Sequence, residues 1–166
     1  MTIRPVVELP DPILGRPCAP VGDLDDRALV VARDLLDTMR GSAHSVGVAA
    51  PQIGVSLRVC CIDVTGHHKA RSCHGEVVLF DPVIIESSMF DIGREGCMSV
   101  PDLTGDVARA TSMHVRGLGL DGEVHDYEVD AFEARAFQHE LDHLDGLLFL
   151  DRVVADDRVF RRRVYR

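Results

Sequence analysis

From Asp26 to Arg40 the apolar residues Ala28, Val31, Ala32, Leu35, Leu36 and Met39 recur at steps of three and four. That stripe predicts an amphipathic helix, with Asp23 or Asp25 placed to cap it. Leu57–Asp63 and Val77–Ile85 are β-branched and apolar, which predicts strands. Thr111–Leu120 and Glu123–Val129 flank Asp121-Gly122, the clearest hairpin signal in the chain. Ala131–Leu144 returns to helical periodicity, and Gly146 stands where a helix stop belongs.

Other stretches lack such periods. Residues 1–22 are proline- and glycine-rich and read as an extended arm laid on the body. Gly41 to Gly54 is rich in Gly, Ala and Ser, too weak for a strand, and reads as a functional loop. Thr65 to Gly75 is polar and reads as a solvated loop, its His67, His68 and His74 included. Helix, strands, then helix, with no βαβ alternation, predicts an α+β fold. Its antiparallel or mixed β-sheet would pack around a central, C-terminal helix. With no repeat or linker, residues 1–166 form a single predicted domain.

Composition narrows the function. The 166 residues are 46% hydrophobic and 27% charged, which argues against disorder. A net charge of −9 disfavours a DNA or other nucleic-acid binder, which normally presents a basic face. No apolar run approaches the roughly 20 residues a membrane span needs, and Pro5 and Pro10 break any signal-peptide core. Five cysteines without zinc-ribbon spacing predict reduced thiols and a cytoplasmic protein. Cys60 and Cys61, inside a predicted strand, are expected in the core.

The chemistry concentrates in His139-Glu140-Leu141-Asp142-His143. Histidines at i and i+4 share a helix face and can reach one metal ion, while Glu140 can address a water at it. A third ligand is needed. The residues after His143 contain no Glu, His or Cys, and Phe149 occupies the position where a downstream ligand histidine would extend the motif. Asp145 and Asp151 remain available, but Cys97 in Glu95-Gly96-Cys97-Met98-Ser99 is the best upstream candidate. A thiolate with two imidazoles suits Zn²⁺ or Fe²⁺ rather than Mg²⁺ or Ca²⁺.

Three ordered segments, Ser45-Val-Gly-Val-Ala-Ala-Pro-Gln52, Glu95-Gly-Cys-Met-Ser99 and Gln138-His-Glu-Leu-Asp-His143, together resemble the peptide deformylase family. Leu9–Leu14 and His143–Arg152 are similar to it as well, so the resemblance runs over most of the chain. It implies Cys97, His139 and His143 as metal ligands, with Fe²⁺ as the native ion and Zn²⁺, Ni²⁺ or Co²⁺ as substitutes. It implies metal-activated water attacking the formyl carbon of N-formylmethionyl nascent peptides. Glu140 would be the general acid/base, and the Gln52 amide and Met98 N–H would receive the oxyanion. Val46 and Gly47 would line the substrate cleft, and Glu95, paired with Arg135, would support it.

Ser45, Val48, Met98 and Thr104 depart from the family pattern, and Ser45 would be strained if its position needs a positive φ. The departures keep open a divergent paralogue acting on another N-formyl or N-acyl substrate. Further rivals are an endopeptidase and a non-catalytic, metal-stabilised binding module. Residues 158–166 hold five arginines and read either as a solvated tail or as a basic contact to the ribosome. On either reading, deleting them is expected to spare activity on short peptides.

Overall fold

The computed structural model describes residues 2–162. Helix α1 (Asp26–Gly41) begins where the periodicity begins, and Asp25 caps it, its carboxylate accepting the Ala28 N–H at 2.8 Å. Six strands follow in chain order: β1 (Gly47–Ala49), β2 (Val59–Ile62), β3 (Val77–Cys97), β4 (Val100–Leu118), β5 (Val124–Asp130) and β6 (Val159–Arg161). Helix α2 (Ala131–Leu144) lies between β5 and β6 in the chain. The strands pair in the order β1-β2-β3-β4-β5, with β6 on β4, and every ladder is antiparallel.

Two helices cover opposite faces of the β1–β3 end of this sheet. Cys60, Ile62 and Leu79 pack with Phe137, Leu141 and Leu144 of α2. Their neighbours Val59, Cys61, Val78 and Phe80 pack with Val31, Leu35 and Met39 of α1. Strand residues alternate faces, so burial on both sides accounts for the unbroken apolar run of β2. Each such side chain contributes about 1.5–3 kcal/mol when fully buried. Cys60 and Cys61 are core residues as expected.

The 41–54 segment is not wholly loop. Gly47–Ala49 forms β1, and Ala50–Ile53 forms one 3₁₀ turn. Small residues are what fit there, because all three β1 residues are buried against β2 and α2. The strand predicted over Val77–Ile85 runs on to Cys97, and β4 begins at Val100 rather than Thr111. The distal half of β3 is exposed on both faces, so no alternation of polarity marked it. Only Met98 and Ser99 separate β3 from β4, which puts Cys97 at the tip of a long hairpin.

The N-terminal arm holds the back of this tip. Val7 N–H donates to the Gln52 carbonyl at 2.8 Å and Leu9 N–H to the Ser99 carbonyl at 3.0 Å. After α2 the chain turns at Gly146 (φ 75), where a Cβ would stand 2.7 Å from the Arg16 carbonyl carbon. The basic extension is not simply a tail: Val159–Arg161 is β6, paired with Leu103–Gly105 of β4. Arg163 to Arg166 lie outside the described residues.

Candidate metal centre and cleft

Cys97 at the hairpin tip faces His139 and His143, one turn apart on α2, and their ligand atoms all lie within 4.8 Å of one another. Cys97 Sγ is 3.3 Å from His143 Nε2. His143 Nδ1 is buried with no hydrogen-bond partner among the described residues. Burial, reinforced by His139 and Arg109, holds the His143 pKa well below the ordinary imidazole value, so the ring stays neutral, the form that binds metal. One thiol and two imidazoles, packed this closely and left partly unsatisfied, fit a single borderline-soft divalent cation.

Glu95 orients the second imidazole. Its Oε2 lies 3.0 Å from His139 Nδ1, which leaves Nε2 for the metal. The carboxylate also accepts from Arg109 Nε and Nη2 at 2.9 and 3.0 Å and from Arg135 Nη1 at 2.9 Å. Burial alone would raise the Glu95 pKa, yet His139 and Arg109 bring it down to about 2. Arg109 continues to Asp142, which Arg152 holds from outside at 3.0 Å. Glu95 pairs with Arg135 at 2.9 Å, is buried, and has both oxygens engaged.

Arg109, Asp142 and Arg152 escaped the sequence reading. One signal was available: Arg109 shares the inward phase of β4 with Val107, an odd place for an unpaired cation.

Glu140 points from α2 toward β1. It is buried, and Oε2 has no hydrogen-bond partner among the described residues. Burial, opposed by His139 and reinforced by Glu95, raises its pKa to about 7. Gln52, also buried, accepts the Ala49 N–H at 2.9 Å and directs its amide N–H groups to Cys97 Sγ (3.4 Å) and Ser99 Oγ (3.3 Å).

These groups open onto a cavity of about 740 Å³. Val46 and Gly47 form one wall, Glu95 to Met98 the other, and Arg135, His139 and Glu140 the floor. The expected site residues Val46, Gly47, Gln52, Glu95, Cys97, Met98, Arg135, His139 and Glu140 border one cleft, while His143 lies buried behind it, against Cys97. His67, read as solvated, instead stacks on Phe132 at a 3.7 Å centroid distance and lines the mouth. His74 is likewise engaged, with Glu133 at 3.0 Å. The anticipated strain at Ser45 is absent; the positive φ falls on His44 (φ 64), and Ser45 Oγ donates to the Gly47 carbonyl at 3.1 Å.

The polypeptide deformylase family model matches residues 3–159. The peptide deformylase of Acidobacterium capsulatum is 40% identical over 164 residues, covering 98% of this chain and 94% of the relative. A Met-Ala-Ser-bound peptide deformylase from Acinetobacter baumannii superposes with TM-score 0.82 at 35% identity, over 92% of this chain and 99% of that one. A peptide deformylase from Ehrlichia chaffeensis in complex with actinonin gives TM-score 0.87 at 28% identity, over 95% and 92%.

Proposed function

The chain belongs to the polypeptide deformylase family, and from that premise we propose how its own residues remove a formyl group from the N-terminus of a methionyl peptide. The protein is a hydrolase acting on N-formyl nascent peptides. Cys97, His139 and His143 hold one divalent cation, which supplies the Lewis acidity that makes water nucleophilic near neutral pH.

Glu140 is the base. As the water oxygen bonds to the formyl carbon, Glu140 takes a water proton, and it then delivers a proton to the amide nitrogen. The C–N bond breaks, releasing formate and a free N-terminal amine. A buried carboxylate with an oxygen that has no hydrogen-bond partner among the described residues is placed to accept that proton and return it. The Gln52 amide and the Met98 N–H take the negative charge that develops on the formyl oxygen. The Gln52 contact to Ser99 Oγ is long, at 3.3 Å, so an anionic oxygen competes well for that N–H group.

The peptide enters as an extended strand along Val46–Gly47, because among the described residues β1 stands at the end of the sheet and has β2 as its one strand partner. The Met-Ala-Ser ligand of the Acinetobacter relative supports a methionyl N-terminus as the group presented. Glu95, through Arg109 and Arg135, holds His139 in register rather than touching substrate. The observation that carries the reading is a buried, partnerless carboxylate oxygen beside a Cys-His-His donor set in an open cleft.

The ion is Fe²⁺ in the cell, with Zn²⁺, Ni²⁺ and Co²⁺ able to replace it, as the mixed thiolate–imidazole set allows. Five free thiols support a cytoplasmic location, and no helix among the described residues is long and apolar enough to cross a membrane. The basic extension adds a ribosome contact, tested by reversing the charge of Arg163 and Arg166 and measuring the salt dependence of ribosome binding.

The decisive experiment uses protein purified without oxygen. Bound metal is quantified and formate release is followed from a formyl-Met tripeptide, with the acetylated peptide as comparator and Glu140→Ala as control. Release confined to the formyl peptide and lost in the variant establishes the reading. A metal-loaded protein that releases no formate overturns it.

A further inference from the structure

We infer that Arg162, brought to the cleft by β6, positions and polarises the peptide unit joining Cys97 to Met98, an inference that rests on the oxyanion role proposed above for the Met98 N–H. Its Nη2 donates to the Cys97 carbonyl at 3.2 Å. That carbonyl and the Met98 N–H belong to one amide. A cationic donor on the oxygen draws electron density from the nitrogen and makes the N–H a stronger donor.

The placement is built rather than incidental. The Arg162 N–H donates to the Asp102 carbonyl at 2.8 Å, and the β6–β4 ladder fixes the three residues before it. Phe160 of β6 lies under Arg94, whose Cζ is 3.8 Å from the ring centroid, and Arg94 is in turn held by Asp106 at 2.7 Å. Gly96 keeps the lane open, since a Cβ there would collide with Arg162 Nη2. Among the described residues Arg162 has no carboxylate partner, so its charge is not spent on an ion pair. Its one described side-chain bond is to this peptide unit, and it borders the same cleft as Met98.

Arg162 is thus a positioning residue that acts through Met98. The test compares wild type with Arg162→Ala and Arg162→Lys as full-length, zinc-loaded enzymes on a formyl-Met tripeptide. In Arg162→Ala, kcat should fall about tenfold, a part of the roughly hundredfold cost of removing an entire oxyanion donor, with KM within about twofold. Arg162→Lys, which still offers a cationic donor, should recover most of the loss. The amide ¹⁵N resonance of Met98 should move in Arg162→Ala and return toward the wild-type position in Arg162→Lys.

An unchanged kcat with an unmoved Met98 resonance overturns the inference. So does a rise in KM at constant kcat, which would make Arg162 a substrate contact, and so does a rise in kcat, which would make it a plug. The resonance needs no turnover. A wild-type enzyme that released no formate would strike the functional reading, and the Met98 shift would still decide this one.

Discussion

Gly47 leaves room for only a hydrogen atom beside Glu140: a Cβ built on it would stand 2.5 Å from Oε1 and 2.8 Å from Cγ. Backbone and carboxylate therefore fix each other. Gly47→Ala should displace the base by a fraction of an ångström and lower kcat/KM at least about tenfold, since a misplacement of about 1 Å can cost a hundredfold. Circular dichroism should show the fold retained. Wild-type formate release from this variant would mean that the carboxylate is not held where the chemistry needs it.

Replacing the base itself separates chemistry from stability. Glu140→Gln should reduce turnover by about 10²–10⁴, the usual worth of a general base. Its melting temperature should not fall, because the oxygen lost makes no hydrogen bond among the described residues. Turnover and thermal melts on the same preparation check both halves.

Arg109 joins Glu95 to Asp142 inside the protein, so Arg109→Met would leave two buried carboxylates short of a cation. Breaking such a buried pair costs about 3–5 kcal/mol. Urea unfolding should show that loss. Metal affinity should weaken about 10- to 100-fold as Glu95 loses its hold on His139.

The core strands, both helices and the metal-binding motif were legible because each is a local pattern. Helix α2 keeps the bounds the periodicity gave it, and His139, Glu140 and His143 lie on it as their spacing required. The distal hairpin was not legible, because Ile84 to Ile92 face solvent and carry no burial pattern. Neither was the Glu95–Arg109–Asp142 chain, whose members lie 14 and 33 positions apart and meet only after β4 has laid itself across α2. Strand β1 was hidden for a different reason: a site that must admit Glu140 needs Gly and Ala, residues that look like loop.

The buried thiols give a pH-linked control. Burial, with Glu140 adding repulsion, raises the Cys60 and Cys61 pKa values well above the ordinary thiol value. A raised thiol pKa means less thiolate at any given pH, and thiolate is the reactive form. Iodoacetamide at pH 8 should therefore label the exposed Cys73 while Cys60 and Cys61 stay unmodified until denaturant is added. Peptide mass mapping reads the result. Labelling of Cys60 or Cys61 in the native protein would contradict the packing described.

Ending the chain at Asp157 removes β6 as well as the basic extension. A solvated tail could be cut without effect. Here the truncated enzyme should melt roughly a few degrees lower and turn over no faster than Arg162→Ala. Calorimetry and tripeptide kinetics test the two losses separately.

Cys97 of the hairpin tip faces His139 and His143 of α2, and an ion bound among them would join position 97 to position 139. In polymer terms that is a cross-link closing a loop of about 42 residues, worth on the order of 4 kcal/mol of unfolded-state entropy by the relation that holds for disulfides. Unlike a disulfide it is undone by oxidation and by chelators. With an ion bound there the protein would carry a staple that air can cut, and its lifetime in the folded state would be tied to the redox state of Cys97 as firmly as its chemistry.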